Sequence, residues 1–329
     1  MKRILIVRMS ALGDIVHALP VLASLRDAFP QVEIDWLVEA SYAGLLDLVD
    51  GLSHRVVVRP GYRRAIRFMR SRKYDAALDL QGLIKSAVAA RLSGARRVIG
   101  FERTALREPL ASALYNGAAR VPPGAHVVQK NLSVLPLVGA DSGEVRFPFR
   151  TIPSRVADQV RATAPDGFVL INPGAAWPNK RWNPARFGAL ARQIRDRHSL
   201  MPVVLWGPED DGLAGDVVAT SDGRATRAPR TSLADVLALC RSARLMVSGD
   251  TGPLHLAAAM GTPLVGIYGP TWPDRNGPWD PADEVVSRAH ACVCHHKRRC
   301  LRASMCIGDI GVDEVLAAVD RRLAKAVRA

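Results

Sequence analysis

Apolar runs of strand length alternate with segments of helical period along most of this chain, and that pattern leaves few folds open. Residues 2–8, 32–38, 55–58 and 75–80 read as strands, and residues 14–28, 62–72 and 83–92 as helices. Such alternation predicts a parallel sheet covered on both faces. The pattern thins over 101–125 and resumes with a helix over 127–137. Residues 139–167, rich in Gly, Pro, Ser and Asp, are expected to hold a linker. Alternation then restarts, with strands at 168–172, 203–207, 245–248 and 264–268. Helices are expected at 184–198, after Gly212, at 232–240, at 253–260 and finally at 312–327. At roughly 100–200 residues per domain, 329 residues suit two domains. The boundaries are 1–150 and 151–329, each half Rossmann-like and doubly wound, with a cleft between them. Open parallel sheets bind ligands beyond the carboxyl ends of their strands, so function is expected in the loops that follow strands.

Charge narrows the partner. The formal net charge is +14, and residues 51–100 alone hold 12 Lys or Arg against 2 acids. That excess points to an anionic partner, against the alternative of a merely solvated surface. Nucleic acid is disfavoured. The basic stretch has few aromatics for base stacking and carries no zinc-finger or RNA-recognition signature.

The opening apolar run, Ile4 to Val7, is too short for a signal-peptide core. Residues 251–273 lack Asp, Glu, Lys and Arg but contain four Gly and four Pro, so they read as helix, turn and buried strand rather than a membrane span. The expected location is cytoplasmic, at most attached to a membrane surface. Cys292, Cys294, Cys300 and Cys306, with His295 and His296 among them, do not have a standard zinc spacing. They are read as reduced thiols packed in a long loop, with a structural metal or a redox pair as the alternative.

Three loops after strands carry candidate chemistry. The first, Arg8-Met9-Ser10-Ala11-Leu12-Gly13-Asp14, is not the dinucleotide fingerprint, so a nicotinamide enzyme loses its main support. Asp14 there is either a helix N-cap or a carboxylate placed to take a proton. The second runs from Asn172 to Trp182, a Gly-containing turn with Lys180 and Arg181 that suits an anion. The third, Ser248 to His255, ends a strand and opens a helix, offering N–H groups and the Thr251 hydroxyl to a diphosphate.

The third loop continues through Gly261-Thr262-Pro263-Leu264 to Tyr268-Gly269-Pro270-Thr271, and from Asp250 onward this stretch resembles the signature of glycosyltransferase family 9, the ADP-heptose lipopolysaccharide heptosyltransferases. The opening Ser10-Ala11-Leu12-Gly13-Asp14-Ile15-Val16-His17 is similar to that family's start. Asp35-Trp36-Leu37-Val38-Glu39, Asp79-Leu80-Gln81-Gly82-Leu83-Ile84-Lys85-Ser86 and Arg107-Glu108-Pro109-Leu110 resemble its heptosyltransferase I members most. The resemblance implies a GT-B architecture, with acceptor on the first domain, donor on the second, and a last helix, 312–327, able to pack back on the first. It implies inverting transfer of L-glycero-D-manno-heptose from ADP-heptose to a Kdo sugar of lipid A at the inner membrane's cytoplasmic face. Asp14 matches the family's base, Lys180 its phosphate-binding lysine, and Asp250, Thr251, Gly252 and His255 its donor loop. Asp211, after Trp206-Gly207, fits the ribose-binding acid, with Glu209 and Asp210 adjacent. Ala175 and Ala176 stand where heptosyltransferase I often has hydroxyl residues.

No Asp-x-Asp motif exists. Glu33-Ile34-Asp35 is nearest and lies in an expected strand, so no divalent metal or other cofactor is expected. Arg59, Arg63, Arg64, Arg67 and Lys85 are expected to dock the anionic acceptor. Competing readings are a heptosyltransferase II-like or protein-heptosylating enzyme, a GT-B epimerase, and a non-catalytic sugar-nucleotide module.

Overall fold

A computed structural model describes residues 1–326 except 60, 61, 296, 299, 301, 303 and 304. His296 and Val327, named above, lie outside the described residues. The chain divides into two compact units, Met1–Arg150 and Thr151–Ala329.

The first unit runs β1 (Arg3–Val7), α1 (Leu12–Val16), α2 (Leu19–Ala28), β2 (Glu33–Glu39), α3 (Ala43–Leu46), β3 (His54–Val58), α4 (Arg63–Arg72), β4 (Ala76–Asp79), α5 (Ile84–Leu92), β5 (Arg97–Phe101), β6 (Gly117–Ala119) and α6 (Val127–Leu132). Its six strands are parallel in the order β3-β2-β1-β4-β5-β6. β1 and β4 are buried along nearly their whole length, as central strands between two helical layers must be. The single helix expected over 14–28 is two helices. Pro20 lacks an N–H and sits in the first turn of α2, where none is needed.

The second unit runs α7 (Arg155–Thr163), β7 (Phe168–Asn172), α8 (Pro184–His198), β8 (Met201–Val204), α9 (Asp211–Ala219), β9 (Thr226–Arg227), α10 (Leu233–Ser242), β10 (Leu245–Gly249), α11 (Gly252–Ala259), β11 (Leu264–Tyr268), α12 (Pro273–Asn276), β12 (Glu284–Ser287) and α13 (Val312–Ala326). Its order, β12-β11-β10-β7-β8-β9, is the same wiring as in the first unit. Part of the stretch expected as linker is α7. Its Ser154 side chain caps the Ala157 N–H at 3.0 Å, and Ala157 and Val160 face the core. α13 packs on α8, β11 and β12 of its own unit.

In both sheets the strand order reverses beside the first strand, between β1 and β4 and between β7 and β10. That reversal opens the crevice in which doubly wound sheets take ligands.

Candidate functional site

In the first unit the crevice is built by the loops after β1 and β4. The Asp14 carboxylate, nearly half exposed, pairs with Arg8 Nη2 at 2.7 Å and accepts the Ala11 N–H at 3.3 Å. Asp14 is therefore not the N-cap that sequence offered as an alternative. It lies in the third position of α1 and reaches back to the start of the helix. Arg8 is buried and also donates to the Leu80 carbonyl at 2.5 Å, which ties the β1 loop to the end of β4. Gln81 Oε1 accepts the Met9 N–H at 2.9 Å, a second tie.

The motif that begins at Asp79 is a scaffold for this loop. Buried Asp79 accepts the N–H groups of Gln81 and Gly82, the Ser86 hydroxyl at 2.9 Å and the Tyr115 hydroxyl at 2.7 Å. Burial pushes its carboxyl up, and these donors oppose that shift. Asp35, nearest thing to a metal-binding motif, is likewise structural. It is buried and accepts from Tyr74 and Arg72, with His54 Nδ1 at 3.1 Å.

In the second unit the loops after β7 and β10 meet. Asn172 Nδ2 donates to Ser248 Oγ at 2.9 Å and Thr251 Oγ1 at 3.0 Å, locking the two strand ends together. Asp250 is buried. One of its oxygens takes Lys180 Nζ at 2.5 Å, and the other faces His255 Nε2 at 3.2 Å and Asn276 Nδ2 at 3.0 Å. Burial works against its charge, yet the His255 hydrogen bond and the Lys180 charge outweigh it and hold the carboxyl well below the usual range. Lys180 also lies over the Trp177 ring, 5.0 Å from its centroid. Two glycines permit this closeness. A Cβ on Gly249 would come within 2.8 Å of the Lys180 carbonyl, and one on Gly174 within 2.2 Å of Asp210 Oδ2. Gly252 opens α11, whose first N–H groups have no partner within the helix.

The structure thus brings together Lys180, Asp250, Thr251, Gly252 and His255. Asp211 instead pairs with Arg227 on the surface. It is Asp210 that faces Gly174, with Arg181 at 3.8 Å. Burial raises its carboxyl, Arg181 opposing and Glu209 adding to the rise. Of the expected acceptor residues, Arg59 follows β3, and Arg63, Arg64 and Arg67 project from α4, all exposed. Lys85 pairs with Glu39 at 2.9 Å.

The four late cysteines are gathered rather than scattered. Cys292 and Cys294 sulfurs lie 3.4 Å apart, with Cys306 and Cys300 packed against them. Burial and the neighbouring thiols push Cys294 up to about 11, whereas backbone N–H groups, Arg302's first, lower Cys300. Among the described residues no set of three or more His, Cys, Asp or Glu is arranged to hold a metal ion. Asn179, next to Lys180, donates to the Lys297 carbonyl at 2.9 Å and faces Cys294 Sγ at 3.7 Å. The cysteine segment therefore buttresses the Lys180 loop.

Sequence reading placed Arg8 and Asn172 at the starts of their loops without a role, and missed Asn276. A charged residue ending a buried strand could have flagged Arg8. Nothing local marks Asn276, which α12 returns to Asp250 across 26 residues.

The model of glycosyltransferase family 9 (heptosyltransferase) matches residues 62–305. The chain belongs to glycosyltransferase family 9. Among curated relatives, lipopolysaccharide heptosyltransferase 1 of Pseudomonas aeruginosa is 29% identical over 91% of this chain and 87% of its own. E. coli heptosyltransferase WaaC with ADP superposes with a TM-score of 0.79 at 23% identity, covering 99% of this chain and 100% of that one. The same enzyme with ADP-2-deoxy-2-fluoro heptose gives 0.71 at 25% identity, covering 86% and 92%. As a family 9 member the chain is a glycosyltransferase of the GT-B fold. No helix among the described residues is long and apolar enough to cross a membrane.

Proposed function

We propose that this enzyme transfers L-glycero-D-manno-heptose from ADP-heptose to a Kdo residue of lipid A, with inversion, at the cytoplasmic face of the inner membrane. The observation that carries the reading is the Lys180–Asp250–His255 cluster at the β7–β10 reversal, beside the open N-terminus of α11. The solved relative bound to ADP and to a fluorinated ADP-heptose supports that donor.

The second unit holds the donor. Lys180, fixed by Asp250, and the first N–H groups of α11 face the diphosphate as it gains charge on departure. Preorganised donors of this kind stabilise the transition state most. They also give the leaving group its counter-charge, so the reaction needs no divalent cation. The first unit takes the acceptor. Asp14, oriented by Arg8, accepts the proton of the attacking hydroxyl, a contribution of about 10²–10⁴ in rate. Exposed arginines of α4 meet the acceptor's carboxylates and phosphates.

Asp14→Asn tests the base. ADP-heptose should bind with unchanged affinity by calorimetry while ADP release falls by about 10²-fold or more. Turnover at the wild-type rate removes Asp14 from the mechanism.

A further inference from the structure

Of the two helices that cover one face of the first sheet, α5 is built inside out. α5 turns small residues inward: Ser86, Ala87, Ala89 and Ala90 are its buried positions. Its large apolar side chains point out. Ile84, Val88 and Leu92, spaced by four, form one row and are 42%, 39% and 36% exposed. A surface helix ordinarily does the reverse. Leu110, 69% exposed, extends the row from the neighbouring turn Pro109–Leu114. That turn is held against α5 by Glu108, whose carboxylate accepts the Ile84 N–H at 2.7 Å.

α4 lies alongside. Ala65 and Met69 of α4 share a core with Ala89 and Ala90 of α5 against one side of the sheet, and Arg70 Nε reaches the Leu92 carbonyl at 3.2 Å. The outer face of α4 carries exposed Arg67 and Arg70 together with Phe68, and α5 adds Arg91. Neither helix contains an acidic residue.

We infer that the outer face of α4, α5 and the Pro109–Leu114 turn is the surface on which this enzyme sits on an anionic lipid membrane, the Ile84–Val88–Leu92–Leu110 row entering the headgroup boundary and the flanking arginines pairing with lipid phosphates. An apolar row rimmed by cations is the pattern of an interfacial helix. A second copy of the chain is a poor occupant, because a symmetric contact would set arginine against arginine. Nucleic acid is poor too, since the row is aliphatic and offers little stacking. The inference rests on the proposed reading only for its purpose, delivery of the enzyme to a lipid-borne acceptor, and its test needs no acceptor.

Full-length protein is sedimented with vesicles of phosphatidylcholine alone and of phosphatidylcholine with phosphatidylglycerol. The wild type should partition at least about tenfold better onto the anionic vesicles. Val88→Gln/Leu92→Gln should lose about tenfold of that partitioning, with thermal unfolding and transfer to a water-soluble Kdo-bearing fragment unchanged. Equal partitioning of variant and wild type overturns the inference, as does indifference of the wild type to phosphatidylglycerol. Failure of transfer to the soluble fragment by the wild type counts against the proposed reaction and leaves the vesicle result standing.

Discussion

Lys180→Met separates the structural task of the Lys180–Asp250 pair from the catalytic task proposed for Lys180. The ammonium sits 2.5 Å from a carboxylate that is almost fully buried. Removing one partner of a buried pair typically costs about 3–5 kcal/mol, because a charge is stranded. Here the Asp250 carboxylate keeps His255 and Asn276 as partners, so the expected loss is at or below the bottom of that range, about 2–3 kcal/mol. At about 2–4 °C per kcal/mol for a unit of this size, the melting temperature should fall by about 5–10 °C. On the proposed mechanism catalysis also loses a preformed donor on the leaving diphosphate, a loss of about 10²–10³ in kcat. Adding Asp250→Asn discriminates the two effects. The double variant strands no charge, so most of the melting temperature should return while turnover stays low. Calorimetric unfolding and ADP release, measured on the same samples, read both quantities. Recovery of turnover in the double variant would refute the reasoning, for it would make Lys180 a structural cation only.

Three further outcomes follow from the same geometry. Asp250's carboxyl is depressed in the folded protein, so its contribution to stability is complete above the unfolded carboxylate value of about 4 and fades as pH falls below it. The melting-temperature gap between wild type and Asp250→Asn should accordingly be flat across neutral pH and shrink only in acid. Arg63→Glu/Arg64→Glu should raise the acceptor KM and leave ADP affinity unchanged, because both side chains project from α4 of the first unit; a matching loss in ADP affinity would return them to a solvated surface. Iodoacetamide at neutral pH should label Cys300 first, its thiol being lowered and partly exposed. Cys294, pushed up to about 11, and Cys240, pushed up by burial to about 12, should lag in peptide mass spectra.

Much of the fold was legible because two doubly wound sheets write themselves as alternating short apolar runs and helical periods. Central strands such as 168–172 and 264–268 match to the residue, since burial on both faces leaves them uniformly apolar. Of the four edge strands only β3 was read, at 55–58, and the other three were missed. β6, β9 and β12 are short and partly exposed, and their Gly, Thr, Arg and Glu residues carry no apolar signal. α7 was lost among Pro and Gly because only two of its side chains reach the core.

The same division holds at the site. Lys180 and the loop from Asp250 to His255, which the fold brings together, stood out in sequence because glycines, a helix start and a cation lie close to one another there. Asp210 and Asp211 look alike in sequence, and only the turn after β8 sets the first beside Gly174 and the second beside Arg227. Arg8 and Asn276 act through contacts that only the folded chain creates. The inverted α5 was hidden for a simpler reason. A helix with Ile, Val and Leu on one face reads as a core helix, and nothing in sequence says which face turns inward.

The most direct measurement is mass spectrometry of purified enzyme incubated with ADP-heptose and Kdo-bearing lipid A fragments. The proposed reaction predicts that the acceptor gains the mass of one heptosyl residue, with stoichiometric ADP, and that Asp14→Asn slows the gain by about 10²-fold or more. An unchanged acceptor with an altered or intact donor would contradict it.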